Sequence, residues 1–268
     1  MSPHLTTADP RPVLDFHVRL APVEHAADRL LSMMDESGVA RAVVCAGGTM
    51  PLERLSRNLI EGGHIETDAD NEAVRAACAA SGGRLVPFWF ANPHRDPAEY
   101  RERAAEFRGL EISPAVHGVG LDDPRTAALV AAAGEAGHSV YTVCLERPGA
   151  TVADLVKLAA GHPDVTFVLG HMGIGNIDLY ALELVGDLPN VLAETSGGYA
   201  VVARTALRLL GPDRILFGSE APLQHPATEL DKLRRAGFED ADWHAATWRN
   251  ACRVLGEPER TREWRSPG

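Results

Sequence analysis

The sequence lacks most of the features that would reveal a function directly. Its four cysteines, Cys45, Cys78, Cys144 and Cys252, include no Cys-x-x-Cys pair, which excludes a zinc ribbon and gives no disulfide framework. No run of lysine and arginine is dense enough to face phosphates; the arginines are scattered among acids and the net charge is -11. Nucleic acid is therefore not an expected partner. No stretch approaches the roughly 20 apolar residues of a membrane span. The opening MSPHLTTADPRP has no apolar core behind a basic region, so no signal peptide is expected. A cytoplasmic location with free thiols follows as the expectation. GHMGIGN (170–176) is rich in glycine after a strand, but it lacks the Gly-x-Gly-x-x-Gly spacing and a following acid, which argues against dinucleotide binding. There is no internal repeat, low-complexity tract or linker that would split the chain.

What is present is alternation. Hydrophobic residues make up 45% of the 268 residues, ordinary for a globular protein. Short apolar runs read as strands: VLDFHVR (13–19), RAVVCAG (41–47), RLVPFWFAN (84–92), GLEIS (109–113), SVYTVC (139–144), VTFVLGH (165–171), NVLAETS (190–196) and RILFGSE (214–220). Between them lie helical patterns such as EHAADRLLSMMDESG (24–38), DPRTAALVAAAGEAG (123–137), TVADLVKLAAGHP (151–163) and AVVARTALRLLG (200–211). Thr151 with Asp154 reads as an N-cap, and Gly38, Gly137 and Gly161 as C-caps. Eight strand–helix units with near-continuous apolar strands mean a parallel sheet covered on both faces.

The expected fold is a single-domain α/β protein, a (β/α)8 TIM barrel over 12–256, with 1–11 a flexible tail and 257–268 a polar, frayed one. A doubly wound sheet is the rival. In the first strand Leu14, Phe16, Val18 and Leu20 share one face while Asp15, His17 and Arg19 share the other, as suits a barrel strand leading to a site at its mouth. The last helix, ADWHAATWRNACRVLG (241–256), carries Trp243 and Trp248, read as exposed and pointing faintly to a homodimer surface.

In a barrel the C-terminal strand ends converge on the functional face. Those ends supply His17 and Arg19, Asn92, Tyr141 and Cys144, His171, Glu194 and Glu220, with His94 just beyond the third strand. Two histidines, an arginine and two acids are more polar chemistry than a packed core tolerates without purpose. Tyr141 reads as barrel lining, Cys144 as a packed thiol, and His94 and His117 as solvated loop histidines. Glu194 either closes the pocket floor or pairs with Arg204.

Five of these segments carry a resemblance. DFHVRL is similar to the Asp-x-His-x-His first-strand motif of the amidohydrolase superfamily. VLGHMGIGN resembles its His-Met-Gly segment, NVLAETSG its Asn-Val-x-x-Asp-x-Ser-Gly segment, RILFGSEAP its Phe-Gly-Ser-Asp-x-Pro segment, and WRNACRVLG its closing helix. Order and spacing resemble the amidohydrolase-related branch, which includes aminocarboxymuconate-semialdehyde decarboxylases, aromatic-acid decarboxylases and pyrone-dicarboxylate lactonases.

The departures matter as much as the matches. The resemblance implies a divalent metal held by two first-strand histidines, a fifth-strand histidine and an eighth-strand aspartate. Here His17 keeps the first position, Arg19 replaces the second, Val143 stands at the third and Glu220 at the fourth. Glu111 and Ser113 stand in place of a fourth-strand lysine and histidine. A guanidinium neither deprotonates nor ligates a cation. The expectation is therefore an altered, metal-free centre with no cofactor, in which Arg19 makes a bidentate pair with Glu220. Zinc or manganese on His17, His171 and Glu220 is the alternative.

By analogy with the lactonases, Arg19 would bind a carboxylate or an oxyanion. Glu220 or His171 would act as general base, and His17 would orient the substrate or serve as acid. Tyr141, His94 and Glu194 are the further substrate-binding candidates. The expected activity is hydrolysis of a C–O or C–N bond in a small carboxylated or cyclic metabolite. The alternatives are a decarboxylase, lyase or cyclase on the same scaffold, or a catalytically silent ligand-binding barrel.

Overall fold

The computed structural model describes residues 11–175 and 177–259. Val13–Leu20 (β1) pairs in parallel with Val39–Ala46 (β2), and β2 pairs with Leu85–Pro87 (β3). Trp89–Phe90 (β4), Gly109–Ile112 (β5), Ser139–Thr142 (β6), Phe167–Leu169 (β7), Val191–Glu194 (β8) and Ile215–Leu216 (β9) form a second parallel run in that order.

Two joints close the ring. After β9, the chain bonds to β1: the Phe16 N–H donates to the Phe217 carbonyl at 2.8 Å, Glu220 N–H to the His17 carbonyl at 2.7 Å, and Arg19 N–H to the Ala221 carbonyl at 2.7 Å. Between β3 and β4, the Phe88 N–H donates to the Val44 carbonyl at 2.9 Å. All eight expected strand segments are present, the third in two pieces. Pro87 has no N–H for the ladder, and the Phe88 ring occupies the space over Gly109, where a Cβ would lie 2.2 Å from it. The architecture is a (β/α)8 TIM barrel. Its strands β5 to β8 are buried at every residue, as parallel strands covered by helices on one side and packed side chains on the other must be.

Local signals account for most helix ends. Helix Ala26–Ser37 stops at Gly38 with φ 71. Helix Val152–Gly161 begins with a capping box in which Thr151 and Asp154 satisfy each other's backbone N–H groups. That helix runs through Gly161, and His162 takes the capping position, so Gly161 is not the C-cap expected from the sequence. No described helix is long and apolar enough to cross a membrane.

The last helical segment corrects the reading of Trp243 and Trp248 as exposed. Asp240–His244, Ala245–Arg249 and Asn250–Val254 follow one another and pack against β1 and β9, where the Phe217 N–H donates to the Ala246 carbonyl at 2.8 Å. Trp243 and Trp248 are consequently buried, and the Arg234 guanidinium lies 3.4 Å from the Trp243 ring centroid. Neither tryptophan offers a surface. Glu257 is held by Arg41 at 3.0 Å and Glu259 by His244 at 2.6 Å, so the start of the expected frayed tail is pinned. The rest of both tails lies outside the described residues.

Candidate functional site

The barrel seam places the first three polar side chains. Asp15, His17 and Arg19 alternate inward from β1 against the segment after β9. Asp15 clamps that seam: its carboxylate accepts the Ser219 N–H at 2.9 Å, the Ser219 hydroxyl at 2.5 Å and the His17 N–H at 3.2 Å. Burial raises its carboxyl to about 7, against the lowering effect of those donors.

His17 stacks on Tyr141 with centroids 4.0 Å apart and meets His171 edge-on at 6.3 Å. Burial, then the charges of Arg19 and His171, push its pKa well below the usual imidazole range. The ring is neutral, and its buried Nε2 has no hydrogen-bond partner among the described residues.

Arg19 corrects the expected pairing. Its Nη1 donates to Glu111 Oε2 at 2.7 Å, while Glu220 Oε1 stands 4.0 Å from Nη2. The reason is burial. Glu111 is 1% exposed and Glu220 23%, so the carboxylate with less access to water has the greater need of a cation. Burial opposes the charge on Arg19, but Glu111 foremost, with Glu220, more than offsets it and holds the guanidinium above its ordinary range. The second buried oxygen of Glu111 has no partner among the described residues.

His171 completes the group from the segment after β7. It sits at φ 60, and Glu220 at φ 58, a left-handed region that costs a non-glycine residue on the order of 1–3 kcal/mol and clusters at functional sites. Two glycines make the close packing possible. A Cβ on Gly170 would lie 2.4 Å from the Tyr141 hydroxyl, and one on Gly218 2.2 Å from Glu194 Oε1.

Beneath the ring, Glu194 accepts four donors: the Tyr141 hydroxyl at 2.9 Å, the Ser196 hydroxyl at 2.8 Å, the Ser196 N–H at 2.5 Å and the His171 N–H at 3.3 Å. With its proton on Glu194, the Ser196 oxygen is an acceptor toward His171 Nδ1 at 2.9 Å. An Nδ1 that donates to Ser196 leaves Nε2 as the ring atom that can accept a proton, and Nε2 stands 3.8 Å from Glu220 Oε2.

The structure thus brings His17, Arg19, His171 and Glu220 together. Tyr141 and Glu194 lie beneath them as support. The Tyr141 hydroxyl is committed to Glu194, and burial with the neighbouring carboxylates raises its pKa well above the usual phenol value. Glu194 closes the floor and does not meet Arg204, which donates to the carbonyls of Arg235 and Ala236. His94 is on the rim, where its Nε2 bonds the His117 carbonyl at 2.9 Å, and it has no described contact with the central four.

His117 is not the solvated histidine expected. It is 1% exposed, its Nε2 bonds the Thr67 carbonyl at 3.3 Å, and burial lowers its pKa. Cys144 is packed, its thiol pushed up by burial. No three donors from His17, Glu111, His171 and Glu220 come within 4.8 Å of one another; among the described residues only His64, Glu66 and His94 do. Sequence reasoning missed Glu111 as the partner of Arg19 and Ser196 as that of His171. The paired departures at 19 and 111, a cation gained on one strand and an acid on another, were the available signal for the first.

No curated protein matches the sequence. Solved structures do match in fold. They include an uncharacterised TIM-barrel protein from Bordetella bronchiseptica (16% identity, 91% of this chain and 98% of that one, TM-score 0.70). A second is 5-carboxyvanillate decarboxylase from Novosphingobium aromaticivorans, complexed with manganese and 4-hydroxy-3-methoxy-5-nitrobenzoic acid (16% identity, 92% and 96%, TM-score 0.67). A third is a protein assigned as a 2-pyrone-4,6-dicarboxylic acid hydrolase from Acinetobacter baumannii, with citric acid bound (14% identity, 91% and 99%, TM-score 0.67). At these identities the likeness is one of fold. The family profile described as amidohydrolase matches residues 14–256, and the chain belongs to that family.

Proposed function

We propose that the barrel mouth is a metal-independent hydrolytic centre for a C–O or C–N bond in a small cyclic metabolite. The observation that carries this reading is the Arg19 guanidinium, 2.7 Å from Glu111 and 4.0 Å from Glu220. It supplies fixed positive charge where a family member holds a cation, and a divalent ion beside it would be repelled. The donors also fail to converge, so the residues at the mouth do not fit the manganese of the decarboxylase. Nothing in the reaction is routed through a metal.

The remaining groups suffice for hydrolysis. His171 Nε2, with its lone pair set by Ser196, takes a proton from water, and Glu220 stabilises the imidazolium so formed. Arg19 receives the negative charge that develops on the carbonyl oxygen under attack. His17, neutral and without a partner on Nε2, orients the substrate oxygen, and the His171 imidazolium returns its proton to the leaving group.

A screen of small lactones, cyclic amides and ring carboxylates tests this. The wild-type protein, stripped and assayed in excess chelator, is expected to hydrolyse a member of the first two classes. Arg19→Met, His171→Ala and Glu220→Gln are expected to lose that activity. Turnover that disappears with chelator and returns with manganese would overturn the reading, as would a wild-type enzyme no more active than all three variants.

A further inference from the structure

A second cluster of donors stands apart from the mouth centre. His64 and Glu66 lie on the connection between helices Leu52–Glu61 and Asn71–Ala80, and His94 follows β4. One ligating atom from each comes within 4.8 Å of the others. His64 Nε2 is 3.9 Å from Glu66 Oε1, and the rings of His64 and His94 stack with centroids 5.6 Å apart.

Two further observations show that this cluster is held ready. The first is the tautomer of His94. Its Nε2 bonds the His117 carbonyl at 2.9 Å, and a carbonyl only accepts, so the proton is on Nε2 and the lone pair on Nδ1. A ring nitrogen anchored to a backbone carbonyl while the other is free to ligate is how metal-binding histidines are oriented. The second is the backbone around the donors. The Ile65 N–H bonds the Val116 carbonyl at 3.0 Å, Arg54 the His64 carbonyl at 3.0 Å, and Asn92 the Glu66 carbonyl at 2.9 Å; Arg95 reaches the same carbonyl at 3.1 Å. Gly118 packs so closely on His64 that a Cβ there would lie 2.7 Å from the His64 Cβ. The ligands therefore rise from fixed positions on separate segments.

We propose that His64, Glu66 and His94 bind a divalent cation of the zinc class. Two imidazoles and a carboxylate are a zinc donor set that leaves a position for water. The ion ties the segment after β2 to the loop after β4, at the rim. Phe90 stands between this cluster and the mouth group: its ring is 5.6 Å from that of His117, which meets the His94 ring at 6.3 Å, and the Arg19 guanidinium lies 5.6 Å from Phe90 at the other end of that chain of contacts. The opposing feature is Arg125, whose Nη1 is 3.4 Å from His94 Nδ1. Arg125 is otherwise engaged with Asp123 at 2.8 Å, and metal binding displaces only its longer contact.

The test uses the full chain without an affinity tag, stripped of metal. Zinc is titrated calorimetrically and cobalt followed by its visible absorption. About one equivalent is expected to bind with nitrogen-type cobalt bands. His94→Ala and Glu66→Gln each weaken binding about tenfold or more, Arg125→Ala tightens it, and Glu220→Gln leaves it unchanged. His64 and Glu66 are well exposed, so Glu66→Gln reports on binding even where His94→Ala disturbs the loop. Binding only at millimolar metal, or binding indifferent to both His94→Ala and Glu66→Gln, overturns the proposal. Tight binding that vanishes in Glu220→Gln overturns it too, and in that case also the metal-free reading of the mouth. Failure at the rim alone leaves that reading standing.

Discussion

Asp15 makes the barrel seam sensitive to pH in a way that can be calculated. Its carboxyl is raised to about 7 in the folded chain from 3.8, chiefly by burial. The shift of about 3.2 units corresponds to roughly 4 kcal/mol at 1.36 kcal/mol per unit. The folded pKa lies above the unfolded one, so the contribution to stability is fully present below pH 3.8 and is lost as pH rises through 7. Between pH 5.5 and 8.5 the linkage relation gives a loss of about 2 kcal/mol.

Asp15→Asn removes the titration and keeps the shape: the amide oxygen accepts the Ser219 and His17 N–H groups, and the amide nitrogen faces the Ser219 hydroxyl. Urea unfolding of wild type and Asp15→Asn, at the same ionic strength and at pH 5.5, 7 and 8.5, measures the difference directly. The variant's stability relative to wild type is expected to rise by about 2 kcal/mol across that range. A difference that stays flat within 0.5 kcal/mol, or falls, would refute the assignment of a protonated, desolvated carboxyl at the seam.

Two further outcomes follow from the hydrogen-bond geometry. Ser196→Ala removes the acceptor that holds the proton on His171 Nδ1, so nitrogen-15 spectra of the His171 ring are expected to move from the Nδ1–H tautomer toward Nε2–H, with kcat falling more than KM rises; an unchanged tautomer would show that Ser196 does not set it. Glu111→Gln strips the near partner from a buried guanidinium and is expected to destabilise the fold by about 3 kcal/mol in urea unfolding, and a cost below 1 kcal/mol would mean that Glu220 alone compensates Arg19.

The barrel was legible because each signal for it is local. Parallel strands covered on both faces read as apolar runs, and Thr151 with Asp154 marks a helix start without reference to anything distant. The third strand was read as one piece because its break depends on where the Phe88 ring packs, against Gly109 on a different strand. Membership of the mouth group could be read from strand ends, since the fold brings those together whatever the register. Partners within the group could not. Arg19 and Glu111 are 92 residues apart, and whether the guanidinium turns to Glu111 or Glu220 is decided by relative burial, which the sequence does not state. The same reason explains Trp243 and Trp248. Large apolar side chains on a terminal helix read as a surface until that helix is seen packed against the barrel strands.

Charge at the centre also bears on which substrates it accepts. Around Arg19 one positive charge faces two carboxylates, Glu111 at 2.7 Å and Glu220 at 4.0 Å. An anionic substrate that seeks the guanidinium must compete with Glu111 and approach Glu220 against repulsion. A neutral carbonyl meets neither obstacle. It accepts a bond from the unpaired side of the guanidinium, and its oxygen becomes negative only as water attacks, when Arg19 gains most from being there. One guanidinium already matched by a buried glutamate has little to offer a ground-state anion. On the proposed metal-free reading, the guanidinium favours neutral lactones and cyclic amides. The same reading ranks hydrolysis above decarboxylation, since decarboxylation needs the anion bound first.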